Sequence, residues 1–277
     1  MPYIERKPPE KLAPYVKCIW YLNHRYNEWN HDEVLWPDGC YELIFHFGSN
    51  YRVNNEQMET SFLIGSLTRY HRLKSDGEIR LFGVRIKPWA LNYFLDQAVD
   101  LKKMKDTFVP LKYLFKEEDI KLMESNLKEA SLEEGIKLVN RFILDAFHPN
   151  YFTNNDFIQI LADLFNRPVQ VQLQDAILMS NYSQRQFERK VIELTGLSPK
   201  KLSKVARFNQ VRLKLFFHPQ TDLYDLMEEF GYYDYAHFSK DFKECMGLTP
   251  KEYRNWMLEK VNNSPQKAKH VDFLQDE

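Results

Sequence analysis

Apolar and polar residues alternate along much of the first hundred residues. The clearest run lies at 40–48, where every second residue is apolar, as expected of a β-strand with one buried face. Its apolar members are Tyr41, Leu43, Phe45 and Phe47. Residues 61–67 and 78–88 predict two more strands, and residues 89–97 predict a short helix. Several short strands predict a β-rich domain, a sandwich or a barrel, which we place at residues 1–110.

The spacing of apolar residues changes to that of helices from about Leu111. Ser131 and Glu134 have the spacing of a capping box, in which a hydroxyl and a carboxylate satisfy free backbone N–H groups at a helix start. One face of the predicted helix is apolar, and its members are Leu132, Ile136, Val139, Ile143 and Phe147. We interpret residues 111–153 as a helical connector and place the next domain boundary in the polar stretch 149–155.

The C-terminal half contains an internal repeat. Residues 180–202 align without a gap on residues 231–253, at an offset of 51. Each copy has a short apolar helix, a tight turn and a second helix, which follows Ser183 in one copy and Asp234 in the other, both good N-cap residues. That second helix buries only a narrow stripe. The stripe is formed by Phe187 and Val191 in the first copy and by Phe238 and Phe242 in the second.

Two helices joined by a short turn, the second of them polar and lightly anchored, form a helix-turn-helix. Its second helix, the recognition helix, can enter the major groove of DNA. The chain therefore predicts two recognition helices. Their polar residues, the candidates for DNA contact, are Gln184, Arg185, Glu188, Arg189 and Lys190 in the first and Tyr235, His237, Ser239, Lys240 and Asp241 in the second. The segment 199–217 has the apolar spacing of one helix that would join the two units rigidly.

Basic residues are concentrated in the first copy and the segment that follows it. Residues 184–214 hold nine basic residues against two acidic ones. The basic residues are Arg185, Arg189, Lys190, Lys200, Lys201, Lys204, Arg207, Arg212 and Lys214. Local basic charge supplies the salt-dependent part of DNA affinity that is independent of base sequence. The second copy is closer to neutral, so we expect it to contribute less affinity.

The second copy also carries a dense motif, with matches at Gly231, Tyr232, Asp234, Phe238, Lys240, Phe242, Lys243, Gly247, Thr249, Pro250, Tyr253 and Arg254. Because of this motif and the repeat that contains it, residues 154–258 resemble the AraC/XylS-type DNA-binding domain. Met227 stands where the family usually has alanine. Tyr232 is accepted by the motif but stands where phenylalanine is usual, and both differences are changes of packing. The resemblance implies that the two recognition helices occupy successive major-groove turns on one face of DNA. It implies base contacts from Arg185, Glu188 and Arg189 in the first helix and from Tyr235, Ala236, His237, Ser239, Lys240 and Asp241 in the second.

Two stretches of the first half, 34–45 and 83–88, are similar to motifs in the N-terminal domain of a group of these regulators. Trp36 and Trp89 depart from those motifs. In the wider family this half senses a small molecule or mediates dimerisation, so the resemblance implies a small-molecule effector or a homodimer. The alternative is a regulator without a ligand, controlled by its own abundance or by a protein partner.

Four residues of the first half, Asp38, Cys40, Glu42 and His46, lie close enough in sequence to raise the alternative of a metal site. A buried cysteine and a hydrogen-bonded histidine are commoner, so we predict no metal and no cofactor. The aromatic residues of this half suit a ligand pocket or, as we favour, an ordinary β core. They are Trp20, Tyr21, Trp36, Tyr41, Phe45, Phe47 and Trp89.

An enzyme is the alternative from another class, since some proteins fuse this DNA-binding fold to a DNA alkyl-transfer activity. Such a protein needs a reactive cysteine in a Pro-Cys-His context. Cys18 and Cys40 lie in other contexts, and the sequence has no phosphate loop, nucleophile elbow or HExxH motif. We therefore predict no catalytic residues.

Composition bounds the class of protein. The hydrophobic fraction of 44% and the charged fraction of 28% are typical of soluble globular proteins, and no stretch offers the roughly 20 apolar residues of a membrane span. Three cysteines form neither a disulfide framework nor a four-cysteine zinc site, and favour a reducing cytoplasm. The expected partners are double-stranded promoter or operator DNA and RNA polymerase, and no membrane.

The expected fold class is α+β. A β-rich N-terminal domain, a sandwich or barrel with flanking helices, precedes an all-α C-terminal domain at 154–260. That domain consists of two helix-turn-helix units joined by a linker helix. A disordered tail at 261–277 follows it.

Overall fold

The computed structural model describes residues 3–25, 33–149, 155–263 and 271–272. Most strands of this described chain lie in its first 110 residues. They are β1 Tyr3–Arg6, β2 Val16–Arg25, β3 Glu33–Leu35, β4 Tyr41–Gly48, β5 Tyr51–Val53, β6 Glu56–Gln57, β7 Ser61–Ile64, β8 His71–Ser75, β9 Glu78–Ile86, β10 Phe108–Pro110 and β11 Val271–Asp272.

These strands form two sheets. The larger has the order β10–β7–β4–β9–β2–β1–β11, and the smaller has the order β3–β8–β5–β6. Paired strands run antiparallel, except that β11 runs parallel to β1. The two sheets share one apolar core, to which the larger contributes Trp20, Ile44, Phe62 and Leu81 and the smaller contributes Tyr51, Val53 and Leu73. Of the two predicted architectures, the structure has the sandwich.

The predicted strand at 40–48 is confirmed as β4, but its surroundings differ from the expectation. Alternation predicted one buried face, and Leu43 and Phe45 do lie in a core that includes the helices. Ile44 points to the opposite face and is buried as well, because the smaller sheet covers that face. β4 is therefore a central strand with two covered faces.

The other predictions for the first half are confirmed in part. Residues 61–67 contain β7, and residues 78–88 contain β9, which pairs with both β2 and β4. The short helix predicted at 89–97 is only a 3-10 turn, Leu91–Tyr93. The Asn92 side chain donates to the Val99 carbonyl oxygen and accepts from the Val99 N–H, so it binds the chain beyond the turn.

Two helices, α1 Glu117–Glu129 and α2 Leu132–Asp145, follow the sandwich. The predicted capping box is confirmed, since the Ser131 N–H donates to Glu134 Oε2 at 3.0 Å and the Ser131 hydroxyl accepts from the Glu134 N–H. α2 packs against β2 and β9 through its buried face. This packing covers the face of the larger sheet that is turned away from the smaller one.

The rest of the described chain is helical up to Asn263. Its helices are α3 Asn155–Asn166, α4 Leu173–Met179, α5 Gln184–Thr195, α6 Pro199–Phe217, α7 Leu223–Glu229, α8 Tyr235–Met246 and α9 Pro250–Asn263. α6 has the bounds predicted for the linker helix.

The two helix-turn-helix units have different cores. Residues of the first unit, among them Phe187, lie in one cluster with the N-terminal sandwich and α2. The second unit has a cluster of its own around Phe238 and Phe242. α6 belongs to both, through Leu202 in the first cluster and Phe208 in the second.

The predicted domain borders at 110, 153 and 260 stay predictions, and most of the stretch 149–155 lies outside the described residues. In the tail, α9 continues to Asn263 and β11 lies beside β1. The prediction of disorder for 264–270 and 273–277 also falls outside the described residues. Within the described ranges, no helix combines the length and apolar character that crossing a membrane requires.

Candidate DNA-binding interface

The first unit is made of α4, a short turn and α5. Asn181, in the turn, has the left-handed φ of 56°. Ser183 then caps α5 in a second capping box, because its hydroxyl accepts from the Gln186 N–H while Gln186 Oε1 accepts from the Ser183 N–H at 3.0 Å. The sharp turn and the fixed start of α5 set the angle between the two helices.

The second unit, α7 and α8, repeats this layout with one difference. Asp234 caps α8 by accepting from the His237 N–H at 2.7 Å. The offset of 51 holds from α5 to α8 and from α6 to α9, but α4 and α7 differ by 50, so the second turn is one residue longer. Tyr233 lies in this longer turn and is 94% exposed.

Both recognition helices are anchored by the predicted apolar stripes, which are confirmed. The four side chains, Phe187, Val191, Phe238 and Phe242, are at most 1% exposed. The Phe187 ring lies 5.5 Å from that of Phe157 on α3, and the Phe242 ring lies 5.1 Å from that of Phe208 on α6. One face of each helix is thereby fixed, and the opposite face is left to solvent.

That solvent face of α5 carries the first set of predicted contact residues. The side chains of Gln184, Arg185, Glu188 and Arg189 are exposed. Arg189 Nε lies 3.7 Å from Glu193 Oε1, a long exposed ion pair that a phosphate or base could replace. Lys190 is half-buried, with its Nζ 4.9 Å from the centre of the Tyr182 ring.

The second set, on α8, is less uniform. Ala236, His237 and Lys240 are exposed, whereas Tyr235 and Ser239 are half-buried. The Tyr235 ring packs 5.4 Å from that of Tyr224 on α7.

Asp241, the remaining residue of the second set, is engaged within the protein. Its carboxylate lies 2.6 Å from Lys204 Nζ and 3.4 Å from His237 Nε2, and its side chain is 15% exposed. A direct base contact by Asp241 would require it to leave these partners. The arrangement therefore assigns it to holding α8 on α6, while a role in DNA contact stays a prediction.

The free positive charge of the interface is smaller than the sequence count indicated. Lys201 and Lys204 both bind Glu244, and their hydrogen bonds, Lys201 first, lower the pKa of Glu244 to about 2. Lys214 pairs with Glu229 at 3.1 Å, and Arg212 is buried. Counting residues 184–214 could not reveal this, because the acidic partners come from α7 and α8.

The four residues considered for a metal site, Asp38, Cys40, Glu42 and His46, do not face a common point. Asp38 Oδ2 and Glu42 Oε1 both face Arg85 Nε, at 3.1 and 2.7 Å. The His46 ring lies instead 5.3 Å from that of Tyr51, and Cys40 belongs to the apolar core. Within the described part of the chain, no group of three potential ligands has the geometry to hold a metal ion.

The cysteine thiols lie in environments that disfavour the thiolate. All three cysteines are buried, and none forms a disulfide. Burial raises the pKa of Cys18 and Cys40 well above the ordinary range and that of Cys245 to about 12. A nucleophilic cysteine needs the opposite shift, since the thiolate is the reactive form.

Comparison with protein families bears on each half separately. A family model described as "Helix-turn-helix domain" matches residues 179–255, and one described as "Domain of unknown function (DUF6597)" matches residues 4–110. The helix-turn-helix domain is of the AraC type, so the family resemblance found in the second copy is confirmed. No curated protein matches the chain.

Solved structures of ToxT from Vibrio cholerae are similar to most of the chain. One covers 86% of this chain and 98% of its own, with 12% identity and a TM-score of 0.47. ToxT bound to (E)-4-(8-methylnaphthalen-1-yl)but-3-enoic acid covers 86% and 99%, with 12% identity and a TM-score of 0.48. ToxT with bound unsaturated fatty acid covers 84% and 94%, with 14% identity and a TM-score of 0.46.

Proposed function

From the AraC-type helix-turn-helix domain at residues 179–255, we propose that this protein is a sequence-specific DNA-binding transcription regulator. α5 and α8 would enter the major groove at two places about one helical turn, roughly 34 Å, apart. The observation that carries the proposal is the double repeat. Two capped helices of the same length and register each bury one narrow stripe and leave the opposite face polar.

α5 would supply most of the affinity. Its solvent face offers Arg185, Arg189 and Lys190, none of which is taken up by a buried ion pair. On α8, Lys240 and His237 are exposed, but Asp241 brings a negative charge close to them. The second helix would therefore discriminate among sequences more than it attracts DNA.

Small-molecule control through the N-terminal domain is a second proposal, favoured by two buried polar atoms. Trp20 Nε1 and His46 Nε2 have no hydrogen-bond partner in the described structure. Trp20 belongs to the core between the two sheets. An effector with a hydrogen-bonding group would satisfy such atoms. We further propose that the protein acts in the cytoplasm, that it contacts RNA polymerase and that it forms a homodimer.

A binding selection tests the main proposal. Purified full-length protein would be incubated with sheared bacterial genomic DNA, and the bound fragments would be sequenced. We expect enrichment of one asymmetric motif with two blocks about one helical turn apart. Selection with a variant that lacks both arginines, Arg185→Ala with Arg189→Ala, should lose the first block. Equal recovery of all fragments by the folded wild-type protein would contradict sequence-specific binding.

A further inference from the structure

The N-terminal domain contacts both helix-turn-helix units, and it does so at matching places. Each recognition helix ends in a glycine with a left-handed φ, Gly196 at 70° and Gly247 at 80°. A Cβ on Gly196 would collide with the carbonyl oxygen of Leu101, and a Cβ on Gly247 would lie 3.0 Å from the Tyr70 ring. The two glycines therefore end their helices and also let the N-terminal domain approach closely.

The contact with the first unit is extensive. The Tyr41 hydroxyl donates to the Thr195 carbonyl oxygen at 3.0 Å in a buried position. The first unit also shares its apolar core with the sandwich, because Phe187 and Val191 lie in one cluster with Leu43. Breaking this contact would expose a common core, so the first unit is effectively part of the N-terminal domain.

The second unit is attached differently. Tyr70 lies beside the end of α8, and Trp36 packs against the cluster that the second unit shares with α6. The guanidinium carbon of Arg212, on α6, lies 4.4 Å from the centre of the Trp36 ring. Trp36 is one of the two residues that depart from the motif of the N-terminal domain. We predicted a place in the β core for it, whereas the structure packs it against the cluster of α6 and the second unit.

Arg212 makes this contact more than ordinary packing. It is 5% exposed, and it hydrogen-bonds the side chain of Tyr253 on α9. Its guanidinium donates to Asn209 Oδ1 at 3.1 and 3.2 Å, which leaves the face of the cation to the indole ring. A desolvated cation is attracted to the electron-rich face of an aromatic ring, so the Trp36 indole helps to stabilise the buried charge of Arg212.

We infer that Trp36 and Tyr70 are positioning residues that brace the second helix-turn-helix unit against the N-terminal domain, and thereby fix the spacing between DNA blocks that the protein accepts. The inference rests on the proposed function. α6 joins the two units, and Val169, in the loop before α4, also packs against the second unit's core. Trp36 adds a contact from the N-terminal domain to α6, and Tyr70 adds one at the end of α8. Together they limit rotation of the second recognition helix relative to the N-terminal domain.

The test measures affinity as a function of operator spacing. Full-length protein would be titrated by fluorescence anisotropy against the selected operator and against versions with two base pairs inserted or removed between the blocks. Two base pairs rotate the second block by about 70°. For the wild-type protein we expect a loss of about tenfold or more in affinity on either change. For Trp36→Ala with Tyr70→Ala the loss should fall to about threefold or less.

Three further variants separate a brace from general damage. Tyr113→Ala removes an aromatic residue that is 73% exposed, in the turn just after the sandwich, and should keep the wild-type spacing penalty. Trp36→Phe keeps an aromatic face for Arg212 and should restore most of the penalty. If the double variant does not fold, Tyr70→Ala alone replaces it in the test. This variant removes only the contact beside Gly247 and should give an intermediate spacing penalty. Binding to the first block alone should be the same for all of them.

The outcomes are distinguishable. A double variant with the full wild-type spacing penalty would overturn the brace and leave the proposed function intact. So would a wild-type protein that binds the operator equally well at every spacing. A folded wild-type protein that prefers no DNA sequence would overturn the proposed function, and the brace with it.

Discussion

At the scale of single residues, the side chains that are available to contact DNA are those that are not already engaged inside the protein. Arg185 is exposed, and no ion pair of its guanidinium exists within the described ranges. Arg189 has only its long contact to Glu193. By contrast, Asp241 is held by Lys204, although the sequence alone assigned it to the same class. Burial and pairing, which depend on the partner helix, separate these residues.

Loss of either arginine should weaken binding to the selected operator. We expect Arg185→Ala or Arg189→Ala to cost about 1–3 kcal/mol if the guanidinium makes a bidentate contact to a guanine. Anisotropy titration at fixed salt measures this. Arg141→Ala, which removes an exposed arginine from α2, is the matched control and should change nothing. Two folded variants with wild-type affinity would remove α5 from the interface.

At the scale of elements, Arg85 ties three strands of the larger sheet together. Its guanidinium lies 2.7 Å from Glu42 on β4 and 3.1 Å from Glu5 on β1, while Arg85 itself stands on β9. Asp38, in the turn before β4, is a third carboxylate at 3.1 Å. The residues of the two N-terminal motifs thus meet in one charge network. In this position they stabilise the packing of the strands of the larger sheet.

Replacement of Arg85 should destabilise the folded protein strongly. Arg85→Met leaves three nearby carboxylates without their cation, and removal of one partner of a buried ion pair costs about 3–5 kcal/mol. Urea unfolding at neutral pH measures this loss, with Arg141→Met as the exposed control. Equal stability of Arg85→Met and the wild type would contradict the network.

The pH dependence of that variant follows from Glu42. Burial raises the pKa of Glu42, and Arg85 opposes the rise, so removing the arginine raises it further. A carboxyl whose pKa is higher in the folded state stabilises that state below its unfolded pKa, and the contribution is lost as pH rises through the folded pKa. The difference between Arg85→Met and the wild type should therefore shrink as pH falls from neutral towards about 4.5, the ordinary pKa of a glutamate, and should change little below it.

Elements with local causes could be predicted, and those with distant causes could not. α2 and α5 begin at capping boxes, and α6 lies between the cap at Ser198 and the end of its apolar spacing, so all three were predictable. The covered second face of β4 depends on strands that pair elsewhere in the chain. The partner of Lys204 lies 37 residues away, so no local pattern could identify it.

At the scale of the whole molecule, the net charge of −1 conceals a local basic surface. Its strength is limited, because Lys201, Lys204 and Lys214 are neutralised by acidic residues of α7 and α8. Affinity should still fall steeply as salt rises, since phosphate contacts release counterions. The slope should reflect only the few cations that are not paired internally.

Two lysines of the same region allow a matched test of this point. Lys190→Gln should reduce the slope of log K against log salt concentration by about 1 if its ammonium contacts a phosphate. Lys214→Gln should leave the slope unchanged, because Lys214 already pairs with Glu229 at 3.1 Å. A similar change of slope in both variants would mean that internal pairing does not decide which lysines meet DNA.

The central claim is that one chain places two recognition helices in the major groove of DNA. Methylation interference at guanine N7, a major-groove atom, tests it most directly on the selected operator. The account predicts two clusters of interfering guanines about 10 base pairs apart on one face of the duplex, with the first cluster lost in Arg185→Ala. A single cluster, or no interference at guanine N7 on an operator that the protein binds, would contradict it.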